Sequence, residues 1–249
     1  MHRFFVEENQ IDKEQKLVHI LGSDVNHIKN VLRMIPGEEI LISCGDEWEY
    51  TCSIVETASE EVVASIINIE ESGRELPSRI YLFQALPKSD KMEWIIQKTV
   101  ELGIFQIIPV ETKNCVVKLD AKKKAAKVKR WQAIAESAAK QSKRMIIPEI
   151  HDVMSFSEAI AYAKELDVCF VPYELAENMQ HTRALFGNVQ PGQSIGFFIG
   201  PEGGFATTEI EMALSNQMEP VTLGKRILRT ETAGMAVMSI LMYLLEDRA

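Results

Sequence analysis

Apolar positions recur along this chain in two different rhythms, and the change from one to the other divides it. Up to about residue 70 the pattern predicts one helix among short strands. Val25, Ile28, Leu32 and Ile35 follow helical spacing behind Ser23 or Asp24, either of which can cap the first turn, and Pro36-Gly37 stops the segment. The opposite face of that helix carries His27, Asn30 and Arg33. After it, residues 40–43, 48–54 and 62–69 are enriched in β-branched and aromatic side chains, and Gly45-Asp46 marks a turn between the first two. A small β-barrel or sandwich is expected, followed by a polar linker at residues 70–77.

From residue 79 onward short apolar runs alternate with helical patterns. Residues 80–85, 105–110, 168–171, 194–199 and 220–223 have the character of strands buried on both faces, so a parallel α/β sheet is predicted. Between the first two, a helix over residues 88–102 gathers Met92, Ile95, Ile96, Thr99 and Val100 on one stripe and leaves Lys91, Lys98 and Glu101 on the wet side. The last helix differs from the others. Val237, Ile240, Leu241 and Leu244 make one apolar stripe, while Met235, Met238, Met242 and Leu245 make a second. A terminal helix with almost no wet face must be covered on two sides, which points to a subunit interface and a homodimer.

Composition narrows the class. With 249 residues, 46% apolar and 25% charged, the chain is expected to fold throughout into one large or two modest domains. It turns acidic at Glu7-Glu8 before any apolar stretch forms, so no secretion signal is expected. Its longest nearly apolar run, residues 233–245, is shorter than the roughly 20 residues needed to cross a bilayer, so no membrane span is predicted either. Cys44, Cys52, Cys115 and Cys169 are scattered, which suggests neither a metal site nor a disulfide framework but free thiols in a reducing cytoplasm. The net charge of -9 is unevenly spread: residues 113–144 hold eleven Lys/Arg against Asp120 and Glu136. A solvated helix face accounts for most such runs; the sharper reading is a footprint for a polyanion.

Two loops carry candidate chemistry. The strand at 194–199 runs into Gly200-Pro201-Glu202-Gly203-Gly204, ahead of a helix that Thr207 or Thr208 can cap, the latter in a capping box with Glu211. Strand ends of this kind bind ligands in open α/β sheets. The loop has no Lys, and Glu202, Glu209 and Glu211 would repel a phosphate there, so a ligand with hydroxyls or positive charge fits better. A sulfonium donor carrying a ribose is of that type, while a plain tight turn is the alternative. The second loop reads Leu223-Gly224-Lys225-Arg226-Ile227-Leu228-Arg229, then Thr230-Glu231-Thr232. It could be a helix cap with a solvated basic turn. Leu223, Ile227 and Leu228 would then be exposed, whereas they could wall an adenine pocket.

Taken together, Ile199 to Phe205 and Leu223 to Ala233 resemble the signature of the RsmE-type 16S rRNA uracil-N3 methyltransferase family, of the knotted SPOUT class. The resemblance runs through His2-Arg3-Phe4-Phe5, the His27-x-x-x-Val31-Leu32-Arg33 element, Pro87-Lys88 to Lys98, Glu101-Leu102-Gly103 and Gln141-Ser142-x-Arg144. It implies an α/β protein with a PUA-like RNA-binding β-barrel at residues 1–72. It further implies a SPOUT methyltransferase domain at 73–249, knotted as a C-terminal trefoil, that binds S-adenosylmethionine as a homodimer. The implied reaction is methylation of N3 of the uridine at position 1498 of 16S rRNA, in the cytoplasm and without a metal. The candidate cofactor set is Ile199, Gly200, Pro201, Glu202, Gly203, Gly204, Leu223, Gly224, Arg226, Ile227 and Leu228. Pro172 and Glu174, beyond the 168–171 strand, join it.

Transfer to uracil N3 requires alignment of donor and acceptor and management of the N3 proton. Arg229 is the candidate for stabilising charge on the uracil oxygens or holding a phosphate, and Glu231 for orienting Arg229 or accepting the proton. The candidate RNA contacts are Arg3, His27, Arg33, Lys88, Lys91, Lys122, Lys123, Lys124 and Arg144. Competing readings are a knotted methyltransferase acting on tRNA and an RNA-binding module without catalysis; the cofactor loops argue against the latter. The chain departs from the family pattern at Ser137, where a glutamate is usual, and at Asn114, near which a basic residue is common.

Overall fold

A computed structural model describes all residues except 47, 72, 174, 175, 177 and 247–249. The chain divides into two compact units, one of residues 1–75 with 139–147, the other of residues 76–138 with 148–249.

In the first unit, strands β1 (His2–Phe5), β2 (Ile11–Asp12) and β3 (Leu17–Leu21) precede helix α1 (Ser23–Asn26), and strands β4 (Glu39–Ser43), β5 (Trp48–Thr57) and β6 (Glu61–Glu71) follow it. They form one sheet in the order β1-β4-β5-β6-β3-β2, antiparallel except for the β1–β4 pair. Phe4 on one edge strand and Ile11 on the other belong to the same core as Ile20, Ile40, Tyr50 and Val62, so the sheet curls around a single apolar centre. The expected helix is shorter and differently capped. Gly22, at φ +72°, supplies the N-cap, which places Ser23 and Asp24 inside the first turn. After Asn26 the helix widens into a π-helical turn over His27–Val31, and Ile35 is left exposed.

Residues 139–147 return to this unit through polar bonds. Met145 N donates to Glu75 Oε1 at 2.7 Å, Arg144 pairs with Glu75, and Lys140 Nζ lies 2.9 Å from Asp24 Oδ1.

The second unit alternates as expected: β7 (Arg79–Ala85), α2 (Lys91–Glu101), β8 (Gln106–Glu111), all but the last four residues of α3 (Ala121–Ser142), β9 (Glu149–Ile150), β10 (Met154–Ser155), α4 (Phe156–Ala163), β11 (Val168–Pro172), α5 (Met179–Gly187), β12 (Ser194–Ile199), α6 (Thr207–Ser215), β13 (Glu219–Val221) and α7 (Thr230–Leu245). Its strands are all parallel, in the order β10-β8-β7-β12-β11-β13, with β9 also pairing β8. The central strands are buried on both faces, and Phe83 of β7 stacks on Phe198 of β12 with ring centroids 4.4 Å apart. The α2 stripe is buried at Met92, Ile95, Ile96, Thr99 and Val100, the five positions that helical spacing selected.

Helix α7 follows the edge strand β13 and packs back against α2 and the central strand β12. The two apolar stripes of this helix are not the two faces on which it is buried and exposed. The buried face is Gly234, Val237, Met238, Leu241 and Leu245, so half of the second stripe is already covered within the chain. The apolar side chains left exposed on this helix are Ile240 and Tyr243. The α6 cap is also displaced. The helix begins at Thr207, which makes Ala206 the N-cap and Glu209, rather than Glu211, the residue whose carboxylate accepts from the cap N–H at 2.8 Å. Among the described residues no helix is long and apolar enough to cross a membrane.

Candidate active site

The carboxyl ends of β11, β12 and β13 lie side by side in the second unit, and the two motif loops leave from two of them. The Gly200–Gly204 loop closes on itself through Gly204 N, which donates to Pro201 O at 2.9 Å, with Gly204 at φ +65°. A Cβ at Gly200 would sit 3.4 Å from the Gly204 backbone and the Phe205 ring, so this return leaves little room for a side chain. Thr230 ties the second loop to the first: its Oγ1 donates to Gly200 O at 2.7 Å and accepts from Gln84 Nε2 at 2.9 Å. Gln84 is fully buried at the end of β7.

Between the loops lies a cavity of about 610 Å³. Of the candidate cofactor residues, Pro172, Ile199, Gly200, Pro201, Glu202, Gly204, Leu223, Gly224, Arg226, Ile227 and Leu228 line it. Gly203 does not; its carbonyl accepts from Asn114 Nδ2 at 3.2 Å. Glu174 lies outside the described residues. Tyr173, Ala176, Met179, Phe205 and Thr222 also line the cavity and were not anticipated. The first three follow β11, and only the pairing of β11 with both β12 and β13 brings them to the site.

The volume falls within the roughly 300–1,000 Å³ of small-molecule sites, and the mixture of aliphatic walls with glycine backbone suits a nucleoside. Carbon surface from Ile199, Leu223 and Leu228 can cover a flat base, with Ile227 at 86% exposure on the rim. These residues fit a ligand with an adenine, a ribose and a positive charge.

An ion cluster sits beside the cavity. Glu202 Oε1 accepts from Lys91 Nζ at 2.9 Å and from Lys88 N at 3.1 Å, and Lys91 Nζ lies 3.3 Å from Glu231 Oε2. Burial pushes the Glu202 carboxyl up, but the bonds from Lys91 and from backbone N–H groups outweigh it and hold the pKa below the usual carboxylate range. The Lys91 ammonium is raised, chiefly by its hydrogen bond to Glu202 and further by Glu231, against a smaller opposing effect of desolvation. Arg229 Nη1 stands 4.0 Å from Glu231 Oε1, with 80% of its side chain exposed. The structure therefore brings the candidate pair Arg229 and Glu231 together and adds Lys91, expected as an RNA contact, to the same group.

The remaining candidate RNA residues fall into three sets. Lys122 and Lys123 are exposed near the start of α3, where Lys123 pairs with Asp120, and Lys124 pairs with Glu111 at 2.7 Å. Lys88 is also exposed in the second unit. In the first unit His27 and Arg33 are exposed, the latter at φ +56°. Arg3 and Arg144, each 4% exposed, face inward: Arg3 pairs with Glu49 and donates to Ser43 Oγ, and Arg144 pairs with Glu75. Burial also lowers the Arg3 pKa to about 10, with Arg74 adding to the effect. A guanidinium so enclosed stabilises its own unit instead of meeting a phosphate, and neither residue is retained as an RNA contact.

The four cysteines are free; burial pushes the Cys52 and Cys169 thiols up to about 12, which suits packing rather than nucleophilic chemistry. Among the described residues no cluster of His, Cys, Asp and Glu could hold a metal ion.

Residues 74–242 match the family model of the RNA methyltransferase domain, and residues 20–67 that of the RNA methyltransferase PUA domain. A Bacillus subtilis protein described as ribosomal RNA small subunit methyltransferase E is 38% identical over 98% of this chain and 96% of its own length. A Mesomycoplasma hyopneumoniae protein of the same description is 33% identical over 96% of this chain and 98% of its own. Among solved structures, a ribosomal RNA small subunit methyltransferase E from Neisseria gonorrhoeae bound to S-adenosyl methionine superposes with a TM-score of 0.84 at 31% identity, covering 98% of both chains. A methyltransferase from Legionella pneumophila, in complex with the same cofactor, gives 0.84 at 32% identity over 97% of this chain and 96% of its own.

Proposed function

The chain belongs to the RNA methyltransferase family, and we propose that it methylates N3 of the uridine at position 1498 of 16S rRNA, using S-adenosylmethionine. The observation that carries the reading is one cavity that collects both motif loops, with Arg229, Glu231 and Lys91 grouped at its edge. The cofactor, when bound, supplies a methyl group already activated by its sulfonium.

The chain's own residues do the rest. Ile199, Leu223 and Leu228 would cover the adenine, with Ile227 at the rim, and the Gly200–Gly204 backbone would offer polar groups to the ribose. Lys91 keeps Glu202 ionised and, by pairing with both Glu202 and Glu231, fixes the two carboxylates across the gap between the two loops. Loss of the N3 proton puts negative charge on the uracil oxygens, and that charge is discharged as the N3–methyl bond forms and the donor's sulfur–methyl bond breaks, leaving a neutral thioether. Arg229, exposed and anchored beside Glu231, places a cation there, and Glu231 orients it or takes the proton.

In this reading residues 1–72 form the PUA-like RNA-binding domain and residues 73–249 the SPOUT domain. A C-terminal trefoil knot is supported by the path of α7, which leaves the sheet edge at β13 and begins under the Gly200 loop, pinned there by Thr230. Exposed Ile240 and Tyr243 on α7, with Trp94 on α2, supply apolar area for a homodimer. His27 and Arg33 in the first unit, and Lys88, Lys122, Lys123 and Lys124 in the second, would supply cations for the rRNA of the 30S subunit, a partner consistent with a cytoplasmic location.

Nucleoside mass spectrometry of rRNA and tRNA from cells with and without the gene tests the reading. Loss of 3-methyluridine from 16S rRNA alone is expected; loss of a tRNA nucleoside instead would redirect the substrate.

A further inference from the structure

We propose that Asn114 is a positioning residue that links the basic helix α3 to the cofactor loop, so that RNA and methyl donor each tighten the other's binding. The inference rests on the function proposed above and adds a coupling within the second unit.

Strand β8 ends at Glu111 and runs into a tight turn. Cys115 N donates to Thr112 O at 3.2 Å, and the Thr112 hydroxyl and Cys115 thiol, both buried, are 3.1 Å apart. Three bonds reach from this turn to the other loop. The Asn114 amide nitrogen donates to Gly203 O at 3.2 Å and Gly204 O at 3.1 Å, and Lys113 N donates to Glu209 Oε1 at 2.7 Å. The second oxygen of Glu209 accepts from Ala206 N at 2.8 Å, so the whole stretch from Gly203 to the first turn of α6 is held by two consecutive residues. A neutral amide suits this position: it satisfies two carbonyls with its two N–H groups and adds no cation beside a pocket meant for a sulfonium.

The same turn is tied to α3. Glu111 Oε2 accepts from Lys124 Nζ at 2.7 Å, and Asp120 Oδ1 accepts from Lys123 N at 2.9 Å at the start of that helix. Glu111, Lys113 and Asn114 therefore join the charge-rich end of α3 to the glycine loop through direct bonds. Because Lys113 and Asn114 are exposed, these bonds order surface backbone that either ligand would otherwise have to order alone. Whichever ligand binds first removes part of that cost for the second, and the resulting factor is the same in both directions.

Calorimetry with S-adenosylhomocysteine, in the absence and presence of a 16S rRNA fragment bearing the acceptor uridine, measures the coupling directly. The parent is expected to bind the nucleoside about fivefold tighter with RNA present. Asn114→Ala should weaken binding in the absence of RNA and lose the enhancement, and Asn114→Gln, which retains both donors, should restore part of it. Glu111→Gln should leave binding without RNA unchanged and lose the enhancement, an outcome that simple damage to the pocket would not give. Should Asn114→Ala fail to fold, Asn114→Asp and Glu111→Gln decide. Slower amide exchange at Gly203 and Gly204 on adding RNA is the accompanying signature. Equal affinity with and without RNA in the parent, or full enhancement in the Asn114 and Glu111 variants, overturns the coupling. Failure of the parent to bind S-adenosylhomocysteine at all would overturn the cofactor assignment itself.

Discussion

Replacing Thr230 by Val tests the pin between the two loops, because the new side chain has the same shape and lacks the hydroxyl. Thr230 is 6% exposed; its Oγ1 donates to Gly200 O at 2.7 Å and accepts from Gln84 Nε2 at 2.9 Å. The other Gln84 N–H already donates to Ala85 O at 2.9 Å, and Gln84 has no exposed surface, so the substitution strands one amide N–H in the core. The lost bond to Gly200 is worth about 1 kcal/mol and the stranded donor about 1–3 kcal/mol, together about 3 kcal/mol. At about 2–4 °C per kcal/mol for a chain of this length, the melting point of the second unit should fall by about 6–12 °C. S-adenosylhomocysteine affinity should fall with it, since the Gly200 carbonyl is released. Thr230→Ser keeps the hydroxyl and should recover most of both. Differential scanning calorimetry with and without the nucleoside reads the effect. A Val variant that melts within about 2 °C of the parent and binds equally well would refute the pin.

Arg229→Ala should cut single-turnover methyl transfer by about a hundred- to a thousandfold, the scale of a lost oxyanion donor, while S-adenosylhomocysteine affinity holds; a parental rate would move the acceptor pocket elsewhere. Changing Lys122, Lys123, Lys124 and Lys127 together to Gln should weaken RNA binding and flatten its salt dependence, by about 0.7–0.9 in log–log slope for each phosphate no longer neutralised, and an unchanged slope would leave α3 a solvated face. The Glu202 contribution, its pKa being lowered, is present above the carboxylate range and lost as pH falls through the depressed value; the Lys91 contribution, its pKa being raised, is present below the ammonium range and lost as pH climbs through the elevated one. Cofactor affinity should therefore be flat from about pH 5 to 9, and a transition near neutrality would show that another group controls the loop. Ile240→Asp with Tyr243→Asp should convert a dimer to a folded monomer in sedimentation, whereas a parent that is already monomeric would remove the proposed interface.

Much of the fold was legible because local pattern decides it. Helical spacing alone selected the five α2 residues that are buried, and the apolar run at Ser194–Ile199 coincides with β12. What escaped depends on neighbours that are distant in sequence. Tyr173, Ala176 and Met179 reach the cavity only because β11 pairs between β12 and β13, an order no local pattern specifies. Arg3 and Arg144 read as free cations until Glu49 and Glu75 are placed against them. A shift of the α6 start to Thr207 moves the cap partner from Glu211 to Glu209, which then serves the Lys113 backbone as well. On α7 the two apolar stripes were visible, but which residues the chain itself covers depends on how the helix packs against α2 and β12.

Methyl transfer to uracil N3 can be read with purified protein, labelled S-adenosylmethionine and 30S subunits from cells lacking the gene. Nuclease digestion followed by mass spectrometry should recover the label as 3-methyluridine, in a single 16S rRNA fragment containing position 1498 and approaching one methyl per subunit. Label on a ribose hydroxyl, on another base or on another fragment, or no incorporation by a protein that binds the cofactor, would rule out N3 of that uridine as the acceptor.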